Sequence, residues 1–406
     1  MRFAFPFLLT ACAGVARSVS PCLCPWTPPT PCLACGIDES EGFPQPGGPT
    51  REEGRRREVF PSKWEDVGKC ARTWCIFVNR GFASGEGLVA VTTRPNFEAL
   101  RKIEVDANKR AASVPSYYVD EVPGKGLGVI ANRTLRRGDV VMTEYPAVLV
   151  HRSLEQSTIP QREQFALLDA AVDQLPLARR EAFLAQMGHF GGHRITDILT
   201  TNAFQLDLGG PDGKHYGSFP GVSRFNHDCR PNVAFYISDR LAHITTVVRD
   251  VAAGGELSIT YLDSSTPRVE RQSRTRNAWG FPCGCSQCRL SDAASAKSDD
   301  RLVEMKKIEK EISDPLSTGV TPALLRKLVK LYKDERLECE VGGAYTLVAL
   351  NYNMLGDATA AVKFAKLAEE AVVIEGGADV GDAQAMRELA RAPKQHFTWR
   401  RRLPPS

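Results

Sequence analysis

The nine residues Arg224-Phe225-Asn226-His227-Asp228-Cys229-Arg230-Pro231-Asn232 constrain this chain most, because a Cys283-x-Cys285-x2-Cys288 cluster follows about fifty residues later. The cluster offers three closely spaced thiols and lacks a fourth ligand of its own. A structural zinc site takes four protein ligands, with thiolates at about 2.3 Å. Cys229 is the missing thiolate, so the fold has to lay position 229 against the 283–288 segment. Asn226 and His227 stand three and two residues before that thiolate, and one stretch therefore serves both a polar ligand pocket and a metal. Disulfide pairing within the trio is the competing reading, but Cys283-x-Cys285 is too tight to pair comfortably. A metal held this way contributes on the order of 10 kcal/mol to local folding, enough to order a segment with little core.

Two further elements stand around this pair. Pro123-Gly124-Lys125-Gly126-Leu127-Gly128-Val129 enters a strand through a glycine turn. It is not a dinucleotide fingerprint, which needs Gly at the Val129 position and a following helix. Nor is it a P-loop, which needs Ser or Thr where Gly126 stands. Glycines here let main chain approach a bound molecule closely. Gly254-Gly255-Glu256-Leu257-Ser258-Ile259-Thr260-Tyr261 alternates as a strand does and ends in an aromatic hydroxyl. Packing alone would account for a strand-end Tyr.

The chain around these motifs is β-textured at 117–119, 127–130, 140–142 and 147–150, turns helical at 160–187, and returns to strands at 234–237, 242–248 and 257–261. A helical insert thus splits a β domain. Upstream, 74–78 and 88–92 read as short strands around a Gly-rich turn and 96–109 as a helix, while 19–62 is too rich in Pro, Gly and charge for a core. After Leu290 a Ser/Ala/Asp linker leads into helices over 299–391, broken near Pro315, Pro322 and Gly376. Residues 349–368 have the spacing of one tetratricopeptide-like hairpin, which a plain helix-bundle core would show equally.

The 406 residues, 43% hydrophobic and 25% charged, suit an ordinary globular protein of two or three domains. A net charge of +4 over that length argues neither for nor against a nucleic-acid role, and the basic runs at 55–57 and 400–402 read as solvated tails or a nuclear address. No stretch reaches about 18 consecutive apolar residues, so no membrane span is expected. Residues 1–18 have the outline of a secretory leader, with one positive charge, an apolar run and small residues. Behind a leader, the even set Cys22, Cys24, Cys32, Cys35, Cys70 and Cys75 suggests three disulfides, with a second zinc as the alternative. Cys339 reads as a buried free thiol in a helical region.

The order of elements, GKGLGV, a helical insert, Ser-Arg-Phe-Asn-His-x-Cys-x-Pro-Asn, Gly-Glu-Leu-x-Ile-x-Tyr, then Cys-x-Cys-x2-Cys, resembles the SET-domain protein methyltransferases, in the branch of the SET and MYND proteins and their fungal relatives. The resemblance implies an α+β chain. A SET β-clip fold of short strands would occupy 116–265, with a helical insert at about 153–205. A zinc-bound post-SET-like segment would follow at 266–290 and a helical C-terminal region at 291–406, behind a Cys/Pro-rich extension at 19–115. It implies an S-adenosylmethionine-dependent protein-lysine N-methyltransferase, with a catalytically inactive zinc-stabilised scaffold that binds other proteins as the alternative. A metal-dependent hydrolase fits poorly, since four thiolates leave no open coordination position.

Carried over by position, the cofactor pocket would comprise Gly124, Lys125, Gly126, Leu127, Asn202, Ser223, Asn226 and His227. Trp279 and Phe281 would wall the cofactor and a narrow lysine channel, and Tyr261 would be the catalytic hydroxyl. Cys229, Cys283, Cys285 and Cys288 would hold structural zinc. The partner would be a protein presenting a lysine side chain, without direct contact to nucleic acid. Three departures stand out: Asp228 where Ser is usual, Gly255 where a second acid often precedes Glu256, and no MYND module in the insert. The leader points to the secretory pathway and the resemblance to nucleus or cytoplasm.

Overall fold

The computed structural model describes residues 60–104, 115–209 and 212–403. The leader, Cys22, Cys24, Cys32, Cys35 and the 55–57 basic run lie outside them, as does the end of the 96–109 helix. The described chain is mixed α+β, with three small sheets and a helical C-terminal region.

The largest sheet has six strands in the order β1-β2-β3-β7-β9-β8. They are β1 Glu65–Ala71, β2 Trp74–Asn79, β3 Leu88–Thr93, β7 Val148–His151, β9 Lys214–Ser218 and β8 Phe204–Asp207. Its central strands β2, β3 and β7 are buried almost throughout, and their alternate residues feed two different cores. Leu88, Ala90 and Leu149 face the core beneath the motifs. Val89, Val91, Val148 and Val150 face the insert helices. The edge strand β1 buries only Ala71 and carries no apolar alternation to announce it. Cys70 faces Cys75 in the β1–β2 register and the two form a disulfide.

The helical stretch at 160–187 is two helices. Pro176, which cannot continue a helix, separates α2 Gln161–Val172 from α3 Leu177–Leu184, and α4 Arg194–Asn202 follows. Strands β4 Tyr117–Val122, β5 Gly126–Ala131, β10 Asn226–His227 and β13 Glu256–Ile259 form a sheet in the order β10-β13-β5-β4. A third sheet orders β11 Val233–Ile237, β12 His243–Val247 and β6 Val140–Glu144. The upstream helix is α1, Arg94–Leu100.

Helix α5, Arg268–Trp279, joins the motif region to α6 Asp292–Ser313, α7 Pro322–Asp334, α8 Val341–Met354, α9 Ala358–Gly376 and α10 Gly381–Arg391. The Ser/Ala/Asp stretch expected as a linker is already helix. Ser291 caps it by accepting the Ala294 N–H, and Asp292 complements the positive end. Helices α8 and α9 form a hairpin across Gly356 and do not stand alone: Ile374 packs on Ala234 of β11 and on Val248, just past β12. Cys339 is free but half-buried, in the turn between α7 and α8 rather than within a helix. Arg230 and Glu335, both with fully buried side chains, pair at 2.7 Å and join the Asn-His segment to the C-terminal helices. No helix among the described residues is long and apolar enough to cross a membrane.

Candidate functional site

The glycine turn lies between β4 and β5. Gly124 and Gly126 both have φ +74, where L side chains are strained, and a Cβ at either would face open space. Strand β5 pairs with β13, and β13 pairs in parallel with β10, with Asn226 opposite Ser258 and His227 opposite Ile259. Three stretches distant in sequence therefore meet edge to edge. Asn226 Nδ2 donates to the Leu127 carbonyl at 3.3 Å and to Glu256 Oε1 at 3.0 Å, while Lys125 Nζ reaches Glu256 Oε2 at 2.6 Å. At Gly128 a Cβ would lie 2.5 Å from Val122 Cγ2 and 2.8 Å from Asn226 Nδ2, so only glycine leaves room for this packing.

The turn before Asn226 is held by a buried carboxylate. Glu144 accepts the Gly221 and Val222 N–H groups and the Arg179 guanidinium. Burial pushes the Glu144 carboxyl up, against the pull of Arg179. From this turn the chain enters His227, whose Nδ1 accepts the Tyr261 N–H at 3.1 Å and whose Nε2 lies 3.3 Å from Cys229 Sγ. Burial holds the His227 imidazole down to about 4, so the ring is neutral at pH 7. The Tyr261 hydroxyl donates to the Phe225 carbonyl at 2.6 Å, which sets two polar oxygens side by side.

Aromatic rings close around that pair. Helix α5 ends at Trp279, and Gly280 reverses the chain in the left-handed conformation at φ 74. Trp279 and Phe281 consequently both approach Tyr261, with centroids 5.2 and 6.5 Å away. Trp279 Nε1 donates to the Thr201 carbonyl, which ties this wall to the end of α4. Asp197, in α4, accepts the N–H groups of His189, Phe190 and Gly191 and so orders the preceding loop.

Two of the expected pocket residues turn elsewhere. The Asn202 amide donates to the Ile198 carbonyl in its own helix and to the Met187 carbonyl of the preceding loop, and the Ser223 hydroxyl donates to the Pro220 carbonyl in its own turn. Gly124, Lys125, Gly126, Leu127, Asn226, His227, Tyr261, Trp279 and Phe281 do come together.

Cys229, Cys283, Cys285 and Cys288 are all buried, none is in a disulfide, and their sulfurs lie within 4.8 Å of one another. Cys229 is 3.9 Å from Cys283 and 3.5 Å from Cys288. A tetrahedron with 2.3 Å metal–sulfur bonds has edges of about 3.8 Å, so the four sulfurs fit a zinc-sized ion. Such crowding sets the thiols against one another, pushing Cys229 up and holding Cys285 down through their mutual hydrogen bonds. A divalent cation resolves that conflict by favouring all four thiolates. Arg271, 1% exposed, lies against Cys229 and Cys288 and also donates to the Thr266 carbonyl. Its charge offsets part of the negative charge of a tetrathiolate.

Several groups that hold the site were not singled out in the sequence. Asn232 donates to the Glu256 carbonyl and accepts the Ser258 N–H, which knots the end of the Asn-His segment to β13. The Pro-Asn ending of the motif was the signal for it. The departures at Asp228 and Gly255 have local causes. Asp228 Oδ1 accepts the Arg230 N–H, a bond that a Ser hydroxyl would also make, and burial followed by Cys285 pushes its carboxyl up. At Gly255 a Cβ would come within 2.8 Å of Val251 Cγ1 and 3.0 Å of the Ala252 carbonyl, which leaves little room for an acidic side chain.

A family model described as the SET domain matches residues 126–262. The histone-lysine N-methyltransferase set5 of Schizosaccharomyces pombe is 27% identical over 293 residues, covering 69% of this chain and 85% of that protein. The N-lysine methyltransferase SMYD2 of Homo sapiens is 35% identical over 184 residues, 41% of this chain and 40% of that protein. The histone-lysine N-methyltransferase SMYD3 of Homo sapiens is 33% identical over 101 residues, 25% and 22% of the two chains. The chain thus spans most of the yeast relative but less than half of each human one.

Proposed function

Because the chain belongs to the SET-domain protein methyltransferase family, we propose that it is a protein-lysine N-methyltransferase that uses S-adenosylmethionine and carries a structural zinc. The observation that carries this reading is the pair of oxygens formed by the Tyr261 hydroxyl and the Phe225 carbonyl, 2.6 Å apart beside Trp279 and Phe281.

Gly124, Lys125, Gly126, Asn226, His227, Trp279 and Phe281 would hold the cofactor. Open space over the two left-handed glycines supports this assignment. When bound, the cofactor supplies a methyl group activated on a sulfonium, ready for in-line displacement. The chain's part is alignment. A Tyr hydroxyl and an adjacent carbonyl can orient a polarised methyl through C–H···O contacts, each weak but directional. The lysine amine has to be neutral and held opposite the sulfur, and an aromatic wall favours the neutral form by desolvation. No covalent intermediate with the chain is required. The four thiols would hold zinc as a closed site that orders the segment bearing Phe281, with no open position for catalysis.

The test is twofold. Calorimetric titration of the folded protein with S-adenosylmethionine should show saturable binding, weakened by Asn226→Ala. Radiolabelled methyl transfer to a broad protein extract should label protein lysines. Absence of cofactor binding by well-folded protein would leave the alternative of a protein-binding scaffold.

A further inference from the structure

We propose that His227 is a positioning residue that couples the thiol cluster to the backbone of Tyr261 through a single ring tautomer, an inference that rests on the methyltransferase reading for its consequence but not for its chemistry. A backbone N–H can only donate. The contact from the Tyr261 amide at 3.1 Å therefore requires Nδ1 of His227 to be bare. The ring proton then resides on Nε2, which lies 3.3 Å from Cys229 Sγ. Sulfur must be the acceptor in that contact. A metal-bound thiolate keeps acceptor capacity there, whereas a thiol among packed sulfurs is a weak acceptor at best.

This link acts where the strand ladder has ended. Strand β13 stops at Ile259, whose carbonyl still accepts the Asp228 N–H. Tyr261 lies two residues beyond, and the imidazole supplies the acceptor that a neighbouring strand would otherwise provide. The Tyr261 amide is thus placed by a side chain whose own tautomer is set by the thiolate behind it. Its hydroxyl meets the Phe225 carbonyl, in the residue two before that same histidine. A change at the thiols reaches the phenol through one ring, with no movement of sheet required.

The experiment uses the full chain, loaded with zinc and labelled with 15N-histidine. Long-range proton–nitrogen correlation, with His227 assigned by loss of its signals in His227→Gln, should show a bare Nδ1 and a protonated Nε2. Replacement of zinc by 113Cd should then resolve a scalar coupling between the metal and the Nε2 proton of His227, transmitted through Cys229 Sγ. An Nδ1-protonated ring, or no coupling in a fully loaded cadmium protein, overturns the proposal. Both signals in a protein that transfers no methyl group would uphold the coupling and count against the enzymatic reading alone.

Discussion

Glu256 accepts from Asn226 Nδ2 at 3.0 Å with one carboxylate oxygen, and with the other it takes Lys125 Nζ at 2.6 Å. One side chain thereby ties the glycine turn to the Asn-His segment. Charge-assisted hydrogen bonds of this kind contribute about 1.5–3 kcal/mol each, less where solvent reaches them as it does Lys125. Glu256→Ala should raise the dissociation constant for S-adenosylmethionine by roughly tenfold, measured by calorimetry, and lower the melting temperature by a few degrees.

Tyr261→Phe removes the hydroxyl and its bond to the Phe225 carbonyl but keeps the ring against Trp279. Cofactor affinity should change by less than about threefold. Turnover should fall by roughly tenfold or more, an interaction of at least about 1.4 kcal/mol made in the transition state. Steady-state kinetics against a methylated protein from the extract would check it, and an unchanged turnover would remove Tyr261 from the mechanism.

Metal analysis of intact protein should find one zinc per chain. A strong chelator should abolish protection of amides in 281–290 and lower the melting temperature, because about 10 kcal/mol of local folding energy resides in such a site. Cys285→Ser should do the same without chelator. Protein with negligible zinc and an undiminished melting temperature would count against the four-thiol assignment.

Glu335→Gln should be among the most destabilising single changes, by about 3–5 kcal/mol, because it leaves the fully buried Arg230 guanidinium without its counter-charge. Chemical denaturation would measure the loss.

Glu375 provides a pH dependence with a definite sign. Burial pushes its carboxyl up to about 8, although the Gly342 N–H opposes this. In the unfolded chain the group ionises near 4.5, so between these values the folded state holds a proton that the unfolded state releases. Stability from this group is present at low pH and falls as pH rises from about 4.5 toward 8. Glu375→Gln should flatten that slope and raise the melting temperature by a few degrees at pH 8, as seen by thermal scans at pH 5.5 and 8.

The parts of the site legible in the sequence were those whose residue types have few other uses: four thiols at metal spacing, an Asn-His pair, a glycine turn, an aromatic at a strand end. Partnerships at long separation were not legible. Nothing in the spacing of Gly128, Asn226 and Glu256 says that one amide is packed by the first and bound by the last. Polar elements also escaped notice. Strand β1 shows no alternation because it is a solvated edge, and α5 is so rich in charge that its buried Arg271 looks like any surface arginine. The break at Pro176 was visible, but the apolar spacing on both sides obscured it.

The Arg230–Glu335 pair sets a limit on how this molecule can be divided. A fragment ending at Leu290 would keep the four clustered thiols, the glycine turn and the phenol, yet would strand a desolvated cation next door to Cys229. The trailing helices are thus no detachable appendage: they complete the electrical balance of the thiol-bearing half, and the two halves should melt as one cooperative unit.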